Sequence, residues 1–159
     1  MNAETLRPIE DTSGAKASWA PMIVIAMAQI MMIFNISTLQ VSIDGVASSF
    51  NTSATTVGTA IVAYALVVAA FIMVGARVAQ MFGALRVFRA TVLLFGAGMA
   101  IMAMSPGVIT MIVAQVVAGI AAAALVPTLV VLVAASYKGR QQENALGWLG
   151  GAPAMGIVL

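Results

Sequence analysis

Long apolar stretches separated by short clusters of charge dominate this chain. No charged residue lies between Lys16 and Asp44, between Asp44 and Arg77, or between Arg89 and Lys138, and none follows Glu143. A membrane-spanning helix needs about 20 mainly apolar residues. The first two gaps hold one helix each, at about 20–43 and 55–75. The third gap is too long for one helix and is broken at Ser105-Pro106-Gly107, a turn signal. It predicts two helices, at about 87–104 and 108–136. The last run, at about 145–159, is too short to span. Ala, Leu, Met and Val fill both faces of every run, whereas a barrel strand alternates over about ten residues. The pattern predicts an all-α, polytopic transmembrane helix bundle with four complete helices and part of a fifth. A polar tail at 1–18 precedes the transmembrane domain at 19–159.

Composition sharpens this picture. Of the 159 residues, 62% are hydrophobic and 8% are charged, against roughly 25% charged in a soluble domain. So few charges cannot clothe a soluble globule, which excludes a soluble enzyme, a nucleic-acid partner and a disordered chain. The chain has no Cys and no His, so thiol chemistry and the commonest metal ligand and general base are missing. No phosphate loop, paired carboxylate or nucleophile constellation is present. No catalytic residue, metal or cofactor is expected, and the reading is non-enzymatic. The Met27/Met31 pair, which could suggest soft-metal transport, reads better as packing among twelve methionines.

Charge also sets orientation. Arg7 and Lys16 precede the first helix, Arg77, Arg86 and Arg89 fall between the second and third, and Lys138 and Arg140 follow the fourth. All seven cations therefore lie on one side, which the positive-inside rule makes cytoplasmic. The expectation is a multi-pass protein of the cell membrane with a cytoplasmic N-terminus. Asp44 is the one charge on the outer side. Trp19 and Tyr137 are expected at the cytoplasmic interface. Ser53, after Asn51-Thr52, is expected to cap the second helix.

Two helices carry polar or small residues at helical spacing. On the first, Asn35, Thr38 and Ser42 share a face. Amides are costly in hydrocarbon unless partnered, so this face should meet other helices or a wet cavity. A substrate path and interhelical hydrogen bonding both explain Asn35. For Gln29, Ser37 and Gln40, hydrogen bonding is the better reading. On the fourth helix, Gln115, Gly119, Ala123 and Pro127 recur every four residues. Small residues allow close backbone approach, and Pro127 removes one backbone hydrogen bond. Packing is favoured for Gly119 and Ala123, and a cavity role for Gln115.

The order of these signals resembles the N-terminal part of a major facilitator superfamily transporter, most closely the fourteen-helix drug:proton antiporter branch. Phe34-Asn35-Ile36-Ser37-Thr38-Leu39-Gln40-Val41-Ser42-Ile43 sits where that branch has LDxTIVNVAL in helix 1. Ala63-Tyr64-Ala65-Leu66 resembles the helix 2 segment AYxL. Residues 76–88, ARVAQMFGALRVF, occupy the place of the cytoplasmic loop motif GxLADRxGRRxxF, with Gly83 and Arg86 as its remnant. Gln115-Val116-Val117-Ala118-Gly119-Ile120 falls where helix 4 has RxxQGxG. Gly147, Gly150, Gly151, Pro153 and Gly156 look like the start of a Gly-rich helix 5. The resemblance implies a secondary transporter of a small organic, drug-like substrate, embedded in the lipid bilayer. Asn35, Thr38, Tyr64 and Gln115 are then substrate-path candidates, and Gly119, Ala123, Pro127, Gly147 and Gly151 are packing or hinge candidates.

Departures from the family bear on function. The family's helix 1 Asp is Asn35, the loop Asp-Arg pair is Gln80-Met81, and the helix 4 Arg is Gln115. The titratable groups that proton coupling would use in this half are thereby replaced by amides or an apolar side chain. The chain reads as a fragment whose partners include the remaining helices of a full-length transporter. The alternative is a small, non-transporting membrane interaction or assembly protein on a degenerate transporter scaffold.

Overall fold

The computed structural model describes residues 20–158, so the tail at 1–18 and Trp19 lie outside the described residues. The chain forms α1 (Ala20–Val41), α2 (Ile43–Ser49), α3 (Ala54–Phe82), α4 (Ala84–Ala103), α5 (Val108–Ser136) and α6 (Arg140–Val158). No strand occurs among the described residues. Of these helices α1, α3, α4 and α5 are long and apolar enough to cross a membrane. The fold is an all-α transmembrane bundle.

Local chemistry explains where the helices stop. Ser53 caps α3, its hydroxyl accepting from the Thr56 amide at 3.2 Å. Asn51 just before it takes a left-handed conformation at φ 52°, which Asn tolerates better than most residues. Ser105 Oγ donates to the Gly107 carbonyl at 2.7 Å and closes the turn between α4 and α5.

Three boundaries differ from the hydropathy reading. The first helix ends at Val41 and hands over to the short α2, whose first turn holds Asp44, where an acidic side chain complements the helix dipole. The second spanning helix does not stop near 75. It continues through Arg77, Gln80 and Met81 to Phe82, and α4 begins at Ala84. Ala, Arg, Gln and Met are good helix formers, so leaving the apolar run does not end the helix. Gly83, at φ 87°, does. The final helix starts at Arg140, with Glu143 in its first turn.

α5 is the hub of the bundle, and α3 and α4 pack on it most extensively. A Cβ added at Gly119 would lie 3.0 Å from the Tyr64 carbonyl oxygen and 3.1 Å from Val67 Cβ. Further along α3, one added at Gly75 would strike the Ala123 carbonyl oxygen and lie 2.6 Å from Ala124 Cα. The paired positions advance together, so α3 and α5 run in the same sense. On the other side, a Cβ at Gly98 of α4 would lie 3.2 Å from the Ala114 carbonyl oxygen. Three glycines thus bring neighbouring helices to the α5 backbone, the close approach that gives transmembrane helices their packing attraction.

Pro127 lies inside α5 and cannot donate to the Ala123 carbonyl. That freed carbonyl is the one facing Gly75. One residue on, Thr128 Oγ1 donates to the Ala124 carbonyl at 2.6 Å. Proline and threonine thus both fall where α3 crosses α5 closely.

Tyr137, just after α5, is buried in the same apolar cluster as Ala145 of α6. Met27 and Met31 point outward from α1 and do not join the core.

These contacts generate a stability prediction. Gly75→Leu places a branched side chain against the α5 backbone, and overpacking costs about 1–3 kcal/mol even where side chains can move aside. Ala69→Leu, at an exposed position of the same helix, adds a similar volume facing outward. Thermal unfolding in detergent should show a large loss for the first and almost none for the second. Equal tolerance would remove Gly75 from the helix contact.

Candidate functional site

One buried face of α1 carries Met22, Ile25, Ala28, Met32, Asn35 and Leu39. Their spacing of three and four places them in one stripe, and Asn35 is its polar member. On α5, Gln115 faces this stripe and is 1% exposed. The two side chains bond reciprocally. Asn35 Nδ2 donates to Gln115 Oε1 at 3.3 Å, and Gln115 Nε2 donates to Asn35 Oδ1 at 3.2 Å. Gln115 Nε2 also lies 3.3 Å from Met102 Sδ of α4. A single amide cluster thereby ties together α1, α4 and α5.

The cluster separates two apolar groups of side chains. On one side, Met32, Tyr64, Phe95 and Ala118 belong to the larger core. On the other, Leu39, Val57, Ala60 and Met111 form a smaller core beneath α2. Surrounding apolar groups exclude water and strengthen the amide bonds, while raising the cost of leaving either amide unpartnered. No buried side-chain nitrogen or oxygen among the described residues lacks a partner.

The N–H···O distances lie at the long end of the usual 2.7–3.2 Å range or just beyond it. Each amide also has two N–H groups and two carbonyl lone pairs, more than the reciprocal pair uses. Such a pair can exchange a partner for a ligand's hydrogen-bonding group. It gains or loses no proton near neutral pH.

The other sequence candidates divide around this pair. Tyr64 is buried in the larger core, where its backbone carbonyl meets Gly119. Thr38 is exposed, because its place on α1 is rotated off the stripe that holds Asn35 and Leu39. Gln29 is half-buried and Gln40 exposed. Ala123 is buried against α3 and Pro127 is half-buried. Gly147 and Gly151 of α6 have open space where a Cβ would point. Together with Glu143, Asn144 and Trp148 they line an open depression. Gly83 and Arg86, the loop-motif remnant, sit at the α3–α4 turn, and Arg86 is exposed.

Sequence reasoning missed three contributors. Gly75 and Gly98 are close-contact positions, and Met102 completes the amide cluster. A small residue four positions on, at Ala79, was the signal available for Gly75. Nothing in the sequence singled out Met102.

Comparison with known proteins follows this geometry. A curated relative, a lincomycin resistance protein of Streptomyces lincolnensis, is 22% identical over 106 residues, which make up 67% of this chain and 22% of that protein. The chain therefore matches less than a quarter of the relative's length. No solved structure matches. The sequence profile of the Major Facilitator Superfamily matches residues 25–159, from within α1 onward. By that match, which takes in most of α1 and all of α3, α4 and α5, the chain belongs to the major facilitator superfamily.

Proposed function

We propose that these helices form the N-terminal part of a secondary transporter for a small organic, drug-like molecule. In this reading residues 19–159 are a transmembrane domain in the cell membrane, residues 1–18 a cytoplasmic tail, and further helices complete the pathway. The observation that carries the proposal is the buried Asn35–Gln115 pair, two amides facing each other across α1 and α5 between two apolar clusters. Buried polar groups inside a membrane bundle are expensive and mark substrate pathways. Family membership and the drug-resistance relative support the substrate class.

Mechanistically, a ligand with a hydrogen-bond donor or acceptor would take the place of one amide in the pair. The exchange keeps the remaining amide satisfied, while the displaced amide needs a second polar group of the ligand, or water that enters with it, in place of the two lost interhelical bonds. α1 would then be held less directly to α5, and bundles of this kind move by rocking of packed units around a central site. The coupling proton, if there is one, is carried outside this part of the protein, because Asn35 and Gln115 do not titrate.

Two outcomes follow. In the full transporter, Asn35→Ala and Gln115→Ala should each weaken apparent substrate affinity by about fivefold or more, the equivalent of one hydrogen bond of about 1 kcal/mol. The pH profile of transport should keep its shape. Proteoliposomes with an imposed pH gradient measure both, and wild-type affinity in both variants would defeat the reading. For orientation, a cysteine at Ala84 in this Cys-free chain should resist an impermeant thiol reagent in intact cells and react once they are opened. Labelling from outside would reverse the topology.

A further inference from the structure

One end of the bundle gathers nearly all the charge of the described residues. It holds Arg77 on the last turns of α3, Arg86 and Arg89 at the start of α4, and Lys138 and Arg140 where α5 passes into α6. All five are exposed. Arg77 and Arg89 stand equally far along the chain on either side of Gly83, so the antiparallel hairpin brings them to one level. The acidic residue at this end is Glu143, also exposed, and among the described residues none of the five cations makes an ion pair.

Apolar side chains stand beside these cations. Met81 is 76% exposed, Phe82 61% and Leu85 54%, all within the turns that carry Arg77, Arg86 and Arg89. Unpaired guanidinium groups and bare apolar side chains on the same turns fit a layered partner. At a bilayer surface the phosphate lies directly above the acyl chains, so one molecule meets both demands. Guanidinium matches phosphate with paired hydrogen bonds. A wholly polar polyanion would engage the arginines and leave Phe82 and Met81 in water.

We propose that this end of the bundle, built from the α3–α4 turn and the α5–α6 connection, is a docking surface for the headgroups of anionic phospholipids. The inference rests on membrane embedding and is independent of transport. Its charge is not neutralised within the described bundle, so an anionic lipid adds a counter-charge that holds the hairpin to α5 and α6.

The test uses the whole chain purified in a non-ionic detergent, with native mass spectrometry counting retained lipids. Phosphatidylglycerol should be retained in preference to phosphatidylcholine of the same acyl chains. With about fivefold per basic residue at an anionic surface, the combined Arg77→Gln, Arg86→Gln, Arg89→Gln variant should lose that preference by about tenfold or more. Its helical circular dichroism should be unchanged. Equal retention of both lipids by the unmodified chain, which needs no variant to fold, would overturn the proposal. So would an undiminished preference in a folded triple variant. Displacement of the lipid by glycerol phosphate at equal concentration would assign the surface to a free phosphate, and displacement by polyglutamate to an acidic protein. Either would also overturn it.

Discussion

The α5 backbone is approached closely from two sides, and the remaining structure is arranged around that fact. Gly119 lets α3 in at Tyr64 and Val67, Gly75 brings α3 up to Ala123 and Ala124, and Gly98 brings α4 onto Ala114. Apolar surface gives little drive for association where the solvent is itself hydrocarbon. Dispersion between closely placed backbones must serve instead, and only residues without a Cβ permit it at these crossings. α5 is accordingly rich in alanine around Gly119, and its middle is among the most deeply buried stretches of the described residues.

Burying α5 so completely creates the polar problem that the candidate site resolves. Gln115 lies on this helix with almost no exposed surface, and neither water nor a lipid headgroup can reach it. Its partner must come from another helix, and α1 supplies Asn35. The bond is therefore a consequence of packing as well as a candidate recognition element. α1 packs more on α6 than on α3 or α5, so the amide pair adds a polar tie to α5 where its apolar packing on that helix is slight.

Much of the fold was legible because membrane helices must satisfy their own backbone, and the charge-free runs were long enough to show it. The break at Ser105-Pro106-Gly107 was legible as turn chemistry and is followed directly by α5. The helical stretch through Arg77 to Phe82 was not, because hydropathy reports where a helix leaves the hydrocarbon and not where it ends. Asn35 and Gln115 stood out as amides where a membrane makes amides costly. Their meeting depends on how α1 is rotated, and the spacing that grouped Thr38 with Asn35 could not tell which of the two faces α5. Among the fourteen glycines, those that meet another backbone are likewise decided by crossing geometry.

The central claim is that Asn35 and Gln115 are coupled across α1 and α5. A double-mutant cycle on the folded chain tests it most directly, comparing unfolding free energies of the unmodified protein, Asn35→Ala, Gln115→Ala and the double variant. Interhelical hydrogen bonds in membranes are worth about 0.6 kcal/mol on average and up to about 1.7, and a reciprocal pair should fall in the upper part of that range. A coupling energy near or above 1 kcal/mol is the predicted result. Additivity within about 0.3 kcal/mol would mean that the two amides act independently, and would contradict the account.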